Sequence, residues 1–151
     1  MAQEGGCFCD KIRISYTGEP GTHVLCHCLD CRKISGSSYG NNIVVPENNF
    51  KLLQGTGIGS SQCKPKTISK TADGGNEITS HFCGDCGTTL MRTGPSFPGS
   101  VIIKVGVMDD PDWPNKNTPK GELYVGSRLA ISAKQSIYPL FFVFVLGTLS
   151  P

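Results

Sequence analysis

The sequence predicts a mainly β protein of short antiparallel strands, and two observations carry this prediction. The 151 residues include 19 glycines and 10 prolines, a content that favours many strands and turns over long helices. Several segments also place apolar or β-branched residues two positions apart, which is the spacing of a half-buried strand. A chain of this length is expected to form one domain and can bury roughly 70% of its unfolded surface.

The predicted strands follow one another closely along the chain. Residues 7–16 alternate over Ile12 and Ile14, so a half-buried strand is expected there. On such a strand Cys7 and Cys9 project to the same face. Further strands, several of them bounded by glycine or proline, are predicted within residues 23–26, 42–45, 50–55, 78–82, 88–92, 100–107 and 122–125.

Two stretches predict irregular structure. Residues 56–76 are polar and rich in glycine and serine, which fits two antiparallel strands joined by an exposed loop. Residues 109–119 contain prolines at positions 111, 114 and 119. Proline removes backbone donors and interrupts regular structure, so a loop is expected over this range.

The charge pattern argues against a strongly charged partner such as nucleic acid. Fourteen basic and twelve acidic residues give a formal net charge of +2, and no block of like charge stands out. Nucleic-acid binding therefore lacks its usual electrostatic footprint, and no nucleic-acid partner is expected.

The first residues have neither a basic segment nor an apolar one, so no signal peptide is predicted. A cytoplasmic location follows as an expectation, with a nuclear one left open.

The last apolar segment, residues 137–149, differs from the rest of the chain. It has thirteen residues with an internal Pro139, whereas spanning a bilayer takes roughly 20 apolar residues. A buried strand or a sticky terminus is favoured over a tail anchor, so no membrane partner is expected. The oligomeric state is left open.

Three of the eight cysteines fall within six residues. Cys26, Cys28 and Cys31 form a C-x-C that overlaps a C-x-x-C, which lets three sulfurs converge on one point. In an intracellular chain such spacing favours metal ligands over disulfides. Three protein ligands leave a zinc ion with an open position, the arrangement of catalytic rather than structural zinc sites.

The remaining cysteines suggest a second, closed site. Cys83 and Cys86 lie in a C-x-x-C-Gly turn between two predicted strands, which is the layout of a zinc knuckle. Together with Cys7 and Cys9 they complete a four-cysteine set, the usual form of structural zinc. Cys63 is then an unassigned thiol. In the alternative, the other three cysteines gain a fourth ligand and form a closed site. The candidates for that ligand are His23, His27, His81 and Cys63.

These motifs resemble a known family. The segments 5–9, 26–36 and 82–88 are similar, in the order and spacing of all seven cysteines, to the glutathione-dependent formaldehyde-activating enzyme family, which also includes centromere protein V. Asp109-Asp110 and residues 122–128 look like later landmarks of the same family. The resemblance implies a zinc-binding, β-tent-like domain over residues 1–128, followed by a divergent apolar tail over residues 129–151.

The resemblance also implies the activity and the roles of the cysteines. The activity is the reversible addition of a thiol, such as glutathione, to formaldehyde, which makes the protein a zinc-dependent carbon–sulfur lyase. The alternative is a non-catalytic zinc scaffold of the same fold. Two zinc ions per chain are implied. The structural zinc is held by Cys7, Cys9, Cys83 and Cys86, and the catalytic zinc by Cys26, Cys28 and Cys31.

The residues around the three-cysteine motif offer candidates for supporting roles. Arg32 and Lys33 either attract a carboxylate of glutathione or form an ordinary solvated basic pair. Asp30 or Ser35 could orient the ligands through hydrogen bonds. The sequence does not distinguish these alternatives.

Overall fold

The computed structural model describes residues 2–54, 63–72 and 75–130, which form ten strands and two short helices. The predicted mainly β class, with short antiparallel strands, is confirmed. The strands are β1 (Gln3–Gly6), β2 (Ile12–Tyr16), β3 (Thr22–Cys26), β4 (Gly40–Pro46), β5 (Phe50–Gln54), β6 (Lys66–Thr71), β7 (Glu77–Phe82), β8 (Thr89–Thr93), β9 (Ser100–Lys104) and β10 (Gly121–Leu123). The helices are α1 (Leu29–Ser35) and α2 (Trp113–Lys116).

A small antiparallel sheet contains three strands in the order β1-β2-β5. Ile14 lies opposite Gly5 on one side and Leu52 on the other. Gly5 also forms a bridge with Met108, which follows β9 in the other sheet. A Cβ atom at Gly5 would lie 2.2 Å from the Val107 carbonyl oxygen, so only glycine permits this close approach.

The larger sheet contains seven strands in the order β10-β3-β4-β9-β8-β7-β6. Its interior strands carry the β-branched residues that favour a central position, as at Val101 and Ile103, both buried. β10 pairs in parallel with β3, whereas the other neighbouring strands of this sheet pair antiparallel. The parallel pairing sets Leu123 opposite Cys26. A late segment of the chain therefore lies beside the strand that ends in the first cysteine of the 26–31 motif.

Helix α1 begins and ends at residues with clear local signals. Cys28 is its N-cap, and the Cys28 sulfur accepts a hydrogen bond from the Cys31 amide at 3.3 Å. Gly36 ends the helix in the left-handed region at φ 61°, a conformation that glycine adopts without the penalty other residues incur. The Ser35 hydroxyl donates to the Cys31 carbonyl at 2.7 Å, which tightens the last turn.

Trp113 joins the two sheets. Its side chain is 1% exposed, and its indole Nε1 donates to the Tyr16 hydroxyl on β2 at 2.8 Å. It also packs edge-on against His23 on β3, with ring centroids 5.2 Å apart. Burying an indole removes roughly 200 Å² from water, so this contact contributes at most about 5 kcal/mol.

The main core cluster contains Cys7, Ile12, Ile14, Tyr16, Ile43, Val45, Cys83, Leu90, Met91, Val101, Ile103, Val105, Val107 and Trp113.

The strand predicted over residues 7–16 is wrong in its first half. Residues 7–11 form a turn, in which the Asp10 amide donates to the Cys7 carbonyl at 2.9 Å and Asp10 has φ 55°. Cys7 and Cys9 therefore lie in a turn rather than on a strand. The alternation of Ile12, Ile14 and Tyr16 belongs to β2 alone, and the C-x-C spacing before it comes from two cysteines that point to a common centre.

Other predicted elements differ in extent. The strand predicted over residues 100–107 ends at Lys104 and continues as a 3₁₀ turn. The loop predicted over residues 109–119 contains one helical turn, α2, because Pro114 lies in its first turn, where no intrahelical donor is needed. Within the range 56–76, β6 pairs with β7, and the first part of that range lies outside the described residues.

The C-terminal prediction concerns residues that the structure does not describe. The apolar segment 137–149 lies entirely beyond residue 130. Within the described ranges, no helix has both the length and the apolar content needed to cross a bilayer.

Candidate metal centres

Two turns from different sheets bring four cysteines together. Cys7 and Cys9 come from the turn between β1 and β2, and Cys83 and Cys86 from the turn between β7 and β8. All four Sγ atoms lie within 4.8 Å of one another. We call this set the four-cysteine cluster. Its position means that a bound ion would cross-link the three-stranded sheet to the seven-stranded one.

Hydrogen bonds from the two turns already point at these sulfurs. The Ile12 amide donates to Cys7 Sγ at 3.3 Å. Burial raises the pKa of Cys86, but hydrogen bonds from the Thr88 side chain and backbone outweigh it, and the net effect lowers that pKa to about 6. The turn between β7 and β8 therefore stabilises a thiolate at Cys86, the form that binds metal. The pKa of Cys9 is raised to about 12, because a hydrogen bond from the Lys11 backbone is outweighed by burial and the neighbouring sulfurs.

The three-cysteine cluster, Cys26, Cys28 and Cys31, forms where β3 passes into α1. Cys26 is the last residue of β3, Cys28 is the helix N-cap and Cys31 lies in the first turn. Their Sγ atoms also lie within 4.8 Å of one another, with Cys26 and Cys28 3.4 Å apart. The overlapping spacing thus does bring three sulfurs to one point, as the sequence predicts.

One sulfur of the three-cysteine cluster is favoured as a thiolate. A hydrogen bond from Cys26 lowers the pKa of Cys31 to about 5, against an opposing effect of burial. The positive charges of Lys104 and Arg92 contribute to this lowering. The same coupling raises the pKa of Cys26, and burial raises that of Cys28. The charged groups around Cys31 therefore already favour negative charge on its sulfur.

A cavity of about 130 Å³ opens on these sulfurs. Apolar side chains from four strands of the larger sheet supply much of its wall, among them Val24, Val44, Ile102 and Leu123. Tyr124 also lines it and holds a left-handed backbone conformation, with φ 56°. Holding a non-glycine residue there costs roughly 1–2 kcal/mol. The strain thus occurs at a residue on the cavity wall.

The structure places the candidate fourth ligands elsewhere, each engaged with other groups. His23 Nδ1 and Nε2 contact Asn117 and Asn41. His81 Nε2 lies 3.0 Å from the Thr93 hydroxyl. Cys63 packs against the core cluster and belongs to neither group of cysteine ligands.

His27, between two of the cysteines, also points away from them. Its Nε2 contacts Glu122 at 2.8 Å, and it is 2% exposed. Within residues 2–54, 63–72 and 75–130, no histidine, aspartate, glutamate or further cysteine joins the three sulfurs as a ligand group. The alternative of a closed second site therefore has no supporting ligand in the described part of the chain.

The donor sets of both clusters suit a thiophilic divalent metal. Four thiolates match a closed tetrahedral site, and three thiolates beside a cavity match a site with an open position. Each cluster could hold a metal ion.

The comparison with family models decides the relationship. The model of the glutathione-dependent formaldehyde-activating enzyme family matches residues 2–127, which include both clusters. The chain belongs to this family. The resemblance drawn from the sequence motifs is thereby confirmed, and the family is associated with enzymatic activation of formaldehyde that depends on glutathione.

A solved structure shares the family member's fold. A crystal structure of a protein from Rhodobacter sphaeroides aligns with a TM-score of 0.56 and 15% sequence identity, covering 79% of this chain and 98% of that chain. At this identity the similarity concerns the fold alone. The comparison with curated proteins found no match.

Of the polar residues that the sequence proposes as partners of the substrate or of the cysteine ligands, only Asp30 lines the cavity. Arg32 and Lys33 line a depression at the surface of α1 rather than the cavity, and Lys33 also lines a second depression beside Asp30 and Arg92. Ser35 contacts the helix backbone rather than a sulfur. Asp30 does line the cavity, is buried and forms an ion pair with Lys70.

Sequence reasoning missed the two buried cations. Arg92 Nη1 donates to Cys31 Sγ at 3.3 Å, and Lys104 is buried near the same sulfurs. A signal was available in retrospect, because each is a charged residue within or at the end of a predicted apolar strand. Only the pairing of β8 and β9 with the rest of the sheet shows which group they face.

Proposed function

We propose that this family member is a zinc-dependent carbon–sulfur lyase. Its substrate would be a thiol of the glutathione type together with formaldehyde, or a related small adduct. The observation that carries the proposal is the convergence of three cysteine sulfurs on the wall of a largely apolar cavity, with no fourth ligand among the described residues. Family membership supports the thiol and the aldehyde as substrate classes.

The two clusters would divide structural and catalytic roles. Cys7, Cys9, Cys83 and Cys86 would hold a structural zinc ion, and Cys26, Cys28 and Cys31 a catalytic one. When bound at three thiolates, zinc supplies a Lewis acid and lowers the pKa of a thiol at its open position. The metal requirement is thus two ions per chain.

The reaction joins two small groups inside the cavity. The thiol sulfur forms a bond to the formaldehyde carbon, and the thiol proton ends on the former carbonyl oxygen, giving a hydroxymethyl thioether. The reverse reaction breaks the same carbon–sulfur bond. The apolar side chains of Val44 and Ile102 exclude water from this space, which strengthens electrostatic interactions there.

A zinc-binding scaffold without catalysis is the second candidate. Phe8 lies between two cysteines of the four-cysteine cluster and is 92% exposed, and Ile68 on the edge strand β6 is 57% exposed. Contiguous exposed apolar patches mark contacts with other proteins, whereas apolar side chains exposed singly are ordinary, so these two residues do not by themselves favour the scaffold. This reading needs no substrate at the cavity. A nucleic-acid or membrane partner is not proposed, and a cytoplasmic location stays an expectation.

Exchange spectroscopy separates the two candidates. The zinc-loaded protein is added to an equilibrium mixture of formaldehyde and glutathione, and NMR measures the rate of exchange between free formaldehyde and the adduct. A lyase accelerates this exchange, whereas the Cys28→Ser variant does not and the surface variant Lys51→Gln accelerates it as the unmutated protein does. A zinc-loaded protein that leaves the uncatalysed rate unchanged contradicts the lyase proposal for this substrate pair.

A further inference from the structure

We propose that Arg92 and Lys104 form a buried cationic pair that suits the three-cysteine cluster to a metal ion with an anionic fourth ligand, such as the thiolate of a substrate. This role rests on the proposed function, because it needs a divalent metal at Cys26, Cys28 and Cys31. It extends that function by giving the charge of the group that the open position takes. It also names two positioning residues that are not metal ligands.

Arg92 contacts the cluster directly. Its side chain on β8 is 8% exposed, and Nη1 donates to Cys31 Sγ at 3.3 Å. Its Nε donates to the Ser80 hydroxyl at 3.1 Å, which fixes the orientation of the guanidinium. Arginine stays charged in proteins, and a buried charge is costly unless an opposite charge lies beside it. Thiolate at Cys31 supplies such a charge.

Lys104 approaches the same sulfurs from β9. It is 6% exposed, and its Nζ donates to Asn42 Oδ1 at 2.7 Å. The Asn42 amide nitrogen in turn donates to the Gly40 carbonyl at 3.0 Å, so the acceptor is held in place. Burial lowers the pKa of Lys104, the charges of the cysteine sulfurs oppose that effect, and the positive charge of Arg92 adds to it, with a net lowering. Negative charge at the cluster therefore stabilises the ammonium group.

The charges balance only with an anionic fourth ligand. A divalent ion with three thiolates has one net negative charge, whereas Arg92 and Lys104 provide two positive charges. A fourth thiolate brings the cluster to two negative charges and cancels the pair. Asp30 also lines the cavity, but its ion pair with Lys70 adds no net charge. A neutral fourth ligand would leave one positive charge uncompensated.

The surroundings make this imbalance costly. Opposite charges interact several times more strongly beside low-dielectric walls than in water. Val44 and Ile102 form part of such a wall, and Arg92 and Lys104 are both more than nine-tenths buried. By contrast, Lys33 on the exposed side of α1 is screened by solvent and salt. The buried pair, rather than the basic residues predicted from sequence, therefore sets the charge that the cavity favours.

Ligand binding to the cobalt-loaded protein tests this role without measuring activity. Cobalt(II) replaces zinc, and its visible absorption reports a change of ligand at the three-cysteine cluster. The probes are 2-mercaptoethanol, which binds as a thiolate, and imidazole, which binds as a neutral ligand. A charge-assisted hydrogen bond contributes enough that Arg92→Gln and Lys104→Gln should each weaken 2-mercaptoethanol binding by about 10–100-fold. Imidazole binding should change by no more than about threefold.

Two control variants separate charge from structural damage. Arg92→Lys keeps the positive charge and should recover a large part of the 2-mercaptoethanol affinity. Lys51→Gln removes an exposed lysine from the smaller sheet and should leave both affinities unchanged. Unaltered 2-mercaptoethanol binding in Arg92→Gln and Lys104→Gln would overturn the role of the pair, as would equal weakening of both probes. If the unmutated protein binds no cobalt at the three-cysteine cluster, the proposed function and the role of the pair both fail. If it binds cobalt but the variants keep their 2-mercaptoethanol affinity, only the role of the pair fails.

Discussion

The sulfur atom of Cys28 has two roles, one in the helix and one in the three-cysteine cluster. Its sulfur caps α1 by accepting the Cys31 amide, and it also faces the sulfurs of Cys26 and Cys31. The cap fixes the direction in which the helix leaves β3, so the position of Cys31 relative to the other two sulfurs follows from local backbone geometry. The arrangement of the three sulfurs is thus largely determined by six consecutive residues.

Gly5 gives a prediction at the same scale. Gly5→Ala would place a Cβ atom 2.2 Å from the Val107 carbonyl oxygen and 3.0 Å from its carbon. Backbone atoms cannot move aside as a flexible side chain can, so we expect a loss of roughly 1–3 kcal/mol in unfolding free energy. Urea denaturation measures it. Gly106→Ala, where an added Cβ meets nothing within 4 Å, is the matched control, and equal stability of the two variants would contradict the close approach.

The cysteine ligand groups are predictable from sequence, whereas the cations beside them are not. Ligand spacing is a local pattern, so six residues of sequence are enough to identify Cys26, Cys28 and Cys31 as candidate ligands. Arg92 reaches Cys31 across 61 positions of sequence, and Lys104 reaches Asn42 across 62. Such contacts depend on the pairing and register of strands, and periodicity within one strand contains no information about its neighbours.

At the scale of elements, β10 connects the end of the domain to the site. It pairs in parallel with β3, and the chain then supplies Tyr124 to the cavity wall. The sequence predicts a strand here. It does not predict the parallel pairing of that strand, because the sequence shows no crossover signal. A side-chain contact secures the pairing. Glu122 accepts hydrogen bonds from Arg128 and from the buried His27.

Removing that contact should loosen β10 without unfolding the protein. Glu122→Ala leaves a donor of the buried His27 without its carboxylate, so we expect several-fold faster amide hydrogen exchange over residues 121–127. Mass spectrometry of peptic fragments measures the exchange. Glu122→Gln keeps an acceptor and should show a smaller effect, and Glu19→Ala in an exposed turn should show none. Unchanged protection in Glu122→Ala would mean that the backbone pairing alone holds the strand.

At the scale of the whole molecule, Trp113 and the four-cysteine cluster both join the two sheets, in addition to the bridge between Gly5 and Met108. Trp113 contacts Tyr16 on one sheet and His23 on the other, and the four-cysteine cluster draws one turn from each sheet. Apparent zinc-binding energies of about 10–16 kcal/mol equal or exceed the whole stability of a typical domain, about 5–15 kcal/mol. A metal ion bound at the four-cysteine cluster would therefore decide whether the sheets stay docked.

Loss of the four-cysteine cluster should accordingly unfold the protein. Cys83→Ser removes one sulfur of that cluster, and we expect it to lose the ion and the docked state together. The protein has one tryptophan, buried between the sheets, so a red shift of its fluorescence reports the loss. Cys63→Ser is the matched control, since Cys63 is outside both ligand groups. A Cys83→Ser protein with native fluorescence would contradict the structural role of the cluster.

We propose that the four-cysteine cluster is structural and closed, and that the three-cysteine cluster is open and separable from the fold. Native mass spectrometry of the protein and of Cys28→Ser tests it most directly, with the metal count and the folded charge distribution read from the same spectrum. The expected result is two zinc ions in the unmutated protein and one in Cys28→Ser, with the folded distribution retained. A single zinc ion in the unmutated protein, or unfolding of Cys28→Ser, would contradict the claim.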